Sequence, residues 1–269
     1  MIDVPLDLPE RDRKPRRSGL TMVIDPGLLT GQFEDAIESV GEYIDLVKFG
    51  WGTALVTKDI KRKIDILRSA GIEFYLGGTL FERYAAVGQV DQWRALCHQL
   101  GATVVEVSNG TIDLDHATKA RWVEALAGEF TVISEVGFKD SARADELTPT
   151  DWVHCIHQDL AAGAHLVTAE ARESGRSGFC RPDGQPRHDL VEEILGSGVD
   201  ADTLLFEAPN KELQTYFVRR LGAAANLGNV RVDDVIGLET LRLGLRSDTL
   251  GLMLGARVPS ATGATPPSA

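Results

Sequence analysis

The chain has 269 residues, of which 43% are hydrophobic and 25% are charged, and its formal net charge is −12. This is the composition of an ordinary globular protein, and the acidic balance excludes the broad basic surface that bulk nucleic-acid binding requires. The sequence contains no run near the ~20 apolar residues of a membrane span. Its charged, proline-bearing start also lacks the apolar core of a signal peptide, so we expect a cytoplasmic protein.

Eight short runs rich in branched and aromatic residues are predicted as β-strands. In chain order they are Leu20–Asp25, Ile44–Phe49, Glu73–Leu76, Thr103–Ser108, Thr131–Val136, His165–Ala169, Thr203–Glu207 and Gly222–Leu227. Amphipathic segments between and after them are predicted as helices, and several are followed by a glycine that suits a helix end. In chain order these are Phe33–Gly41, Lys58–Ala70, Val90–Leu100, Asp115–Ala127, Thr150–Ala162, Lys211–Leu221 and Asp234–Leu245.

The alternation of strands and helices predicts a parallel sheet, and eight such units favour a single (βα)8 TIM-type barrel. A doubly wound sheet is less favoured, and no GxGxxG motif follows the first strand. The barrel is predicted to span residues 19–257, after an irregular arm of residues 1–18. Residues 258–269 are rich in Pro, Ser, Ala and Thr and are predicted to form a disordered tail.

Charged residues repeatedly end the apolar strands, although a buried charge is costly unless it is paired or bound. Side chains alternate between the two faces of a strand, so Lys48 shares a face with Leu46 and Glu135 shares one with Ile133. The polar residues that this alternation places on inward faces are Lys48, Glu106, Ser108, Glu135, Lys139, Thr168, Glu170, Arg172 and Glu207. We expect them to gather at the carboxyl-terminal mouth of the barrel, where barrel enzymes have their active sites.

Carboxylates without nearby His or Cys are oxygen ligands that suit Mg²⁺ better than zinc. The predicted magnesium ligands are Asp25, Glu106, Glu135 and Glu170. Positive charge at the same mouth comes from Lys48, Lys139, Arg172 and Arg176. A metal ion combined with such cations is the usual environment of a phosphorylated carboxylic acid, because both stabilise charge that develops on the substrate.

The histidines and cysteines are weaker candidates for metal ligands. His154 and His157 are three residues apart but lie in a predicted amphipathic helix, so they are interpreted as surface or interhelical residues. Cys97, Cys155 and Cys180 form no CxxC pair and are predicted to be reduced thiols.

Glycine-containing turns follow three of the strands. Gly50-Trp51-Gly52-Thr53 and Gly77-Gly78-Thr79 each place flexible backbone and a hydroxyl at the mouth, which suits an anion, although an ordinary turn has the same composition. Residues 226–229 (NLGN) lie at the end of the predicted eighth strand, in the region where barrels commonly hold phosphate.

Eight segments of the sequence carry a resemblance to a known family. They are LVKFGWGT (46–53), GGTLFE (77–82), VEVSNG (105–110), SEVGFK (134–139), ARESGR (171–176), FEAPNK (206–211), NLGN (226–229) and LETLRLGLRSDT (238–249). In this order they resemble the phosphosulfolactate synthase family, over nearly the whole chain from Gly19 to about Leu250.

The resemblance implies a lyase, a (βα)8-barrel enzyme that adds sulfite to phosphoenolpyruvate with Mg²⁺. The product is 2-phospho-3-sulfolactate, an early intermediate of one route to coenzyme M. Sulfite would attack the methylene carbon, so that charge builds on the carboxylate as an aci-carboxylate. The resemblance also implies a homo-oligomer, such as a trimer, with no nucleic-acid or membrane partner.

Residue roles follow from the resemblance together with the inward positions. Lys139 is expected to protonate the carbon that bears the phosphate, and Glu135 and Lys48 are the other predicted catalytic residues. The predicted substrate-binding residues are Lys48, Thr53, Gly78, Thr79, Arg172, Arg176, Glu207, Asn226 and Gly228.

Among the departures from the family pattern, three positions lose a charge. Pro26 and Phe138 stand where the family has lysines, and Asn109 stands where it has an aspartate. Phe138 is predicted to point outward, whereas Pro26 and Asn109 change the charge at the mouth. The departures leave two alternatives open: a diverged member that adds another nucleophile to phosphoenolpyruvate or a related enol phosphate, and a non-enzymatic relative of the plant heat-stress type. Retention of Lys48, Glu106, Glu135, Lys139, Glu170 and Arg172 argues against the second alternative.

Overall fold

The computed structural model describes Leu6 and residues 8–138, 147–172 and 174–253 of the chain. Within these residues, β-strands and α-helices alternate. The strands are β1 (Thr21–Asp25), β2 (Leu46–Phe49), β3 (Glu73–Leu76), β4 (Val104–Val107), β5 (Thr131–Val136), β6 (Leu166–Ala169), β7 (Leu204–Glu207) and β8 (Leu227–Val230). The helices are α1 (Thr30–Val40), α2 (Thr53–Val56), α3 (Ile60–Ser69), α4 (Gly78–Ala85), α5 (Val90–Leu100), α6 (His116–Ala127), α7 (Pro149–Ala161), α8 (His188–Gly196), α9 (Lys211–Leu221), α10 (Val235–Arg242) and α11 (Leu250–Met253).

The eight strands form one parallel sheet that curls into a nearly closed barrel. Its hydrogen-bonded order is β3-β2-β1-β8-β7-β6-β5-β4. The two ends of this order, β3 and β4, lie side by side. The carboxylate of Glu106 in β4 also accepts a hydrogen bond from the N–H of Gly78, just after β3. The predicted (βα)8 barrel is therefore confirmed.

The helices that the sequence predicted all form, and some of them begin at a side-chain cap. Asp115 precedes α6 and its side chain accepts a hydrogen bond from the N–H of Thr118. Thr148 and Asp151 form a reciprocal capping box at the start of α7. Helices α2, α4, α8 and α11 were not predicted. In α4 the opening Gly-Gly-Thr favours a turn, but burial of Leu80 and Phe81 stabilises the helix.

The predicted position of the eighth strand was wrong. Gly222–Ala224, at the start of the predicted strand, form a 3₁₀ turn, and the strand begins only at Leu227. The alanine-rich run 223–225 has little preference for a strand. Leu227 instead pairs with Phe206 of β7 and Thr21 of β1, so tertiary pairing decides the register.

Two apolar cores flank the strands, one between the barrel and its helices and one inside the barrel. The inner core consists of Leu20, Met22, Leu46, Tyr75, Val104, Ile133, Leu166 and Leu205. On β2, β4, β5 and β7 the next inward residue after the apolar one is charged: Lys48, Glu106, Glu135 and Glu207. The inner core therefore forms the floor beneath a ring of charges at the carboxyl-terminal mouth.

No helix in the described part of the chain is both long and apolar enough to cross a membrane. The predicted boundaries of the arm and tail remain predictions, and residues 258–269 lie outside the described residues.

The three cysteines should be unreactive in the folded protein. All are free and buried, and burial raises the pKa of Cys97 to about 12, of Cys155 to about 11 and of Cys180 to about 12. The thiolate is the reactive form. We expect slow reaction with Ellman's reagent near neutral pH and rapid reaction of all three thiols after unfolding in urea. Rapid labelling of any thiol in the folded protein would contradict this burial.

Candidate active site

Lys48 lies at the centre of the charged ring. Its Nζ is 3.1 Å from Oε1 of Glu106, 3.3 Å from Oε2 of Glu135 and 3.5 Å from Oε1 of Glu207. Burial by itself lowers the pKa of Lys48, but these three carboxylates outweigh burial and hold the pKa well above its usual value. Lys48 therefore stays protonated at neutral pH. We call Lys48, Glu106, Glu135, Glu170 and Glu207 the carboxylate centre.

Three glutamates of the carboxylate centre lie close enough together to hold a cation. Glu135, Glu170 and Glu207 are buried, and each offers an oxygen atom within 4.8 Å of those of the other two. A set made only of carboxylate oxygens fits a hard ion such as Mg²⁺. Glu207, predicted as a substrate ligand, thus joins two of the four predicted metal ligands.

Backbone N–H groups orient two of these carboxylates. Oε2 of Glu207 accepts a hydrogen bond from the N–H of Ala171 at 2.9 Å, and Oε1 of Glu170 accepts one from the N–H of Arg172 at 2.5 Å. The chain after β6 folds back on itself here so closely that a Cβ on Gly178 would lie 1.8 Å from the carbonyl oxygen of Glu170. Gly178 therefore permits the turn that holds Glu170 against Glu207.

Asp25 is not part of the carboxylate centre. Its Oδ2 is 2.6 Å from Nζ of Lys63 in α3, and its Oδ1 accepts hydrogen bonds from the N–H groups of Gly27 and Leu28, each at 2.8 Å. Asp25 shares a face with Val23, which belongs to the outer core. The predicted magnesium ligand thus faces the helical layer, where it pairs with a buried lysine.

Asn226, which the sequence predicted as a substrate ligand at the mouth, lies at the opposite end of the barrel. It precedes β8, and its side chain bonds the N–H of Leu20 and the carbonyl oxygens of Asp202 and Leu204. The error follows from the misplaced eighth strand. Gly228 lies within β8, where a Cβ would meet Met22 at 2.8 Å inside the barrel.

Asn229 is a site residue that the sequence analysis did not identify. Its Nδ2 donates a hydrogen bond to Oε1 of Glu207 at 2.5 Å, and its backbone adopts a left-handed conformation with φ 51°. Asparagine tolerates this conformation better than most residues. The correct end of β8 would have revealed Asn229, because it is the penultimate residue of that strand.

The predicted anion-binding turns lie at the mouth. Gly78 begins α4, where a Cβ would lie 2.3 Å from Oγ of Ser108, and Thr79 follows it half-buried. Thr53 begins α2, and its Oγ1 is buried with no hydrogen-bond partner among the described residues. These three residues are on the side of the barrel formed by β2 and β3.

The predicted cationic residues differ in position. Arg172 and Arg176 follow β6 and are exposed at the mouth. Lys139, the predicted acid, lies outside the described residues, so its role stays a prediction. Phe138, just before it, is half-buried, and its carbonyl oxygen accepts a hydrogen bond from Ser177 at 3.1 Å.

Glu82 organises the loop after β4 from beneath. Its Oε1 accepts a hydrogen bond from Oγ of Ser108 at 2.6 Å, and its Oε2 accepts from the N–H groups of Thr111 and Ile112 at 2.7 and 3.0 Å. Glu82 is buried. The loop that carries Asn109 is therefore fixed to α4.

A second buried charge pair lies behind the carboxylate centre. Nζ of Lys119 in α6 is 2.6 Å from Oδ2 of Asp159 in α7 and 2.8 Å from the carbonyl oxygen of Glu135. Oγ of Ser134 donates to the same carboxylate at 2.5 Å. Burial by itself raises the pKa of Asp159, but Lys119 and His116 outweigh it and lower this pKa. This pair fixes the backbone of Glu135 to two helices.

Replacing Lys119 by Met should lower the free energy of unfolding by about 3–5 kcal/mol, because the buried Asp159 would lose its lysine partner and keep only Ser134 and His116. Urea unfolding measures this change. The exposed Lys58 provides the control, and Lys58→Met should change stability by less than about 0.5 kcal/mol. Equal effects of the two substitutions would contradict the assigned charge pair.

Comparison with known proteins identifies the family of the chain. A family model described as (2R)-phospho-3-sulfolactate synthase (ComA) matches residues 9–248. The chain belongs to the phosphosulfolactate synthase family. The phosphosulfolactate synthase of Bacillus subtilis (strain 168) is 45% identical over 252 residues, which cover 94% of this chain and 100% of the relative. The phosphosulfolactate synthase of Methanothermobacter thermautotrophicus is 41% identical over 247 residues, covering 90% and 95% of the two chains. The resemblance found in the sequence is confirmed.

Solved structures with low identity share the fold alone. The carboxyl transferase domain of Rhizobium etli pyruvate carboxylase superposes with a TM-score of 0.56 at 11% identity, over 82% of this chain and 40% of that one. The YdjI aldolase from Escherichia coli K12 gives 0.52 at 11% identity, over 84% and 81%. The family assignment therefore depends on the sequence relatives.

Proposed function

We propose that the chain is a phosphosulfolactate synthase that adds sulfite to phosphoenolpyruvate in a Mg²⁺-dependent reaction. The observation that carries this proposal is the grouping of three buried carboxylates, Glu135, Glu170 and Glu207, beside a protonated Lys48. A metal-binding carboxylate set next to a fixed cation suits an acid that carries both a phosphate and a carboxylate. The family name supports the same substrates.

Glu135, Glu170 and Glu207 would hold Mg²⁺. When bound, the ion supplies positive charge that stabilises the negative charge developing on the substrate carboxylate. Lys48 contributes a second, permanent positive charge. Because its pKa is raised, Lys48 is a poor proton donor near neutral pH, so its role is to hold an anionic group.

The reaction requires one new carbon–sulfur bond and one new carbon–hydrogen bond. The sulfur of sulfite attacks the methylene carbon, and the electron pair of the carbon–carbon double bond moves towards the carbon that bears the phosphate. A proton delivered to that carbon completes the addition, and Lys139 is the proposed donor. No group leaves, so the phosphate is retained in the product.

Mass spectrometry of an incubation with sulfite, phosphoenolpyruvate and Mg²⁺ tests the proposal. We expect a product whose mass equals phosphoenolpyruvate plus sulfurous acid, and no product when EDTA replaces Mg²⁺. Stabilisation of the protein by phosphoenolpyruvate and Mg²⁺ without any sulfonated product would contradict sulfite as the nucleophile. It would favour the diverged family member instead.

Replacing Lys139 by Ala should reduce turnover by at least about a hundredfold, since general acid catalysis commonly contributes this much. Product formation under saturating substrate measures the change, and an unchanged melting temperature shows that the fold is retained. Lys58→Ala, at an exposed lysine that is not among the predicted site residues, is the matched control. Turnover near that of the wild type would reject Lys139 as the acid.

A further inference from the structure

A separate cavity of about 390 Å³ adjoins the carboxylate centre. Its apolar lining consists of Ile24, Pro26, Leu28, Trp51, Pro209 and Val232. Most of these residues lie at or after the carboxyl ends of β1, β2, β7 and β8, so the cavity opens at the mouth. Its volume falls within the range of about 300–1,000 Å³ of small-molecule sites, which are also mainly apolar.

Two residues connect this cavity to the carboxylate centre. Asn229 lines the cavity and donates its Nδ2 hydrogen bond to Glu207 at 2.5 Å. Ile24 lines the cavity and is the register partner of Lys48 across β1 and β2. A ligand whose charged head binds at the carboxylate centre can therefore extend a side group into the cavity.

The cavity is electrically neutral, unlike the carboxylate centre. The two charged residues in its lining, Arg231 and Asp233, pair with each other at 3.1 and 3.2 Å. Gln32 and Asn229 add only amides. The lining therefore offers no net charge to a phosphate, a carboxylate or sulfite, and suits an uncharged group.

Trp51 provides an independent indication of a ligand. Its backbone has φ 48°, a left-handed conformation that is sterically unfavourable for a non-glycine residue. Despite its apolar indole, its side chain is 51% exposed. Residues with a strained backbone cluster at ligand-binding sites, where the strained conformation holds a side chain in position for the ligand.

We propose that this cavity binds an uncharged aliphatic group on the substrate, so that the chain accepts enol phosphates of 2-oxo acids larger than pyruvate. The proposal rests on the proposed function for the charged head group. It adds a substrate class, namely phosphoenolpyruvate analogues with an alkyl chain on the methylene carbon. The cavity removes that chain from water, while the carboxylate centre binds the acid as before.

Trp51 fluorescence provides the test, because the other three tryptophans, Trp93, Trp122 and Trp152, are buried or partly buried. The two probes are phosphoenolpyruvate and the enol phosphate of 2-oxohexanoate, which adds a propyl group, each with Mg²⁺. We expect the larger probe to bind at least about tenfold more tightly, because three more carbons leave water. Equal or weaker binding of the larger probe would overturn the proposal.

Val232→Asp places a charge in the cavity and should remove the tenfold preference for the larger probe over phosphoenolpyruvate. Val56→Asp, at a valine 84% exposed and outside the cavity lining, is the matched control and should keep the gain. A gain that survives Val232→Asp, or a change in oligomeric state instead of affinity, would overturn the proposal.

A separate measurement distinguishes failure of the proposed function. If phosphoenolpyruvate itself does not bind, uncharged cyclohexanol should still alter Trp51 fluorescence in the wild type and not in Val232→Asp. No response to cyclohexanol in the wild type would reject the cavity as an apolar subsite. A response to cyclohexanol without binding of either enol phosphate would reject only the head-group assignment.

Discussion

Replacing Glu135 by Gln is expected to lower turnover about a thousandfold or more, which corresponds to about 4 kcal/mol of lost transition-state stabilisation. The amide keeps the size of the side chain but removes one of the three negative charges that would hold Mg²⁺. Glu170→Gln and Glu207→Gln should act similarly, because their oxygens belong to the same group. Turnover assays measure the loss of activity. Titration with Mg²⁺, followed by thermal shift, measures the loss of metal binding.

Two controls separate a metal role from a structural one. Glu212→Gln, at an exposed glutamate in α9, should leave turnover and Mg²⁺ affinity unchanged. Glu106→Gln changes a carboxylate that contacts Lys48 but lies outside the three-residue group, so it should weaken Mg²⁺ binding less than Glu135→Gln. If Glu135→Gln bound Mg²⁺ as tightly as the wild type, the proposed metal site would be wrong.

Replacing Lys48 by Met is expected to lower the free energy of unfolding by about 3–5 kcal/mol and to abolish turnover. The substitution leaves Glu106, Glu135 and Glu207 close together without their shared cation. Mg²⁺ should therefore raise the melting temperature of Lys48→Met more than that of the wild type. Lys48→Arg keeps the charge and should recover most of the stability.

The pH dependence of this stability difference follows from the raised pKa of Lys48. A lysine whose pKa is higher in the folded than in the unfolded chain stabilises the fold fully below the unfolded value of about 10.4. This contribution disappears as the pH rises through the folded pKa. The difference between wild type and Lys48→Met should thus be constant from about pH 7 to 9 and shrink above about pH 10.4. A difference that grows with pH would contradict this account.

Strand alternation predicted the inward side chains well where the strand ends were correct. Lys48, Glu106, Glu135 and Glu207 each follow an apolar residue of the inner core by two positions, and all four meet at the mouth. Periodicity of two is a local property of the chain. It can be read without knowledge of any tertiary contact.

Asp25 and Asn226 lie away from their predicted positions for two different reasons. Asp25 ends an apolar strand like the others, but it has the parity of Val23 and faces α3, where Lys63 neutralises it. Asn226 was placed at the mouth because the predicted eighth strand began several residues too early. In both cases the type of side chain suggested a site residue. The face of β1 that carries Asp25 and the end of the barrel that carries Asn226 were not predicted.

The helical residues that support the site could not be predicted from the sequence. Lys63, Glu82, Lys119 and Asp159 lie in helical segments, where buried and solvated charges look alike. Their partners are 16–40 positions away along the chain. Only the packing of each helix against its strand identifies them.

By itself the sequence determined the barrel class, the family, most helix positions and the inward parity of the charged strand ends, since these depend on local periodicity and short motifs. The tertiary structure decided which carboxylates lie close enough to form a candidate metal site, which three carboxylates share Lys48, and where β8 begins. It also decided that a neutral cavity lies beside the charged centre. These depend on distances between strands that are remote in sequence, and the distances are set by sheet register and helix packing.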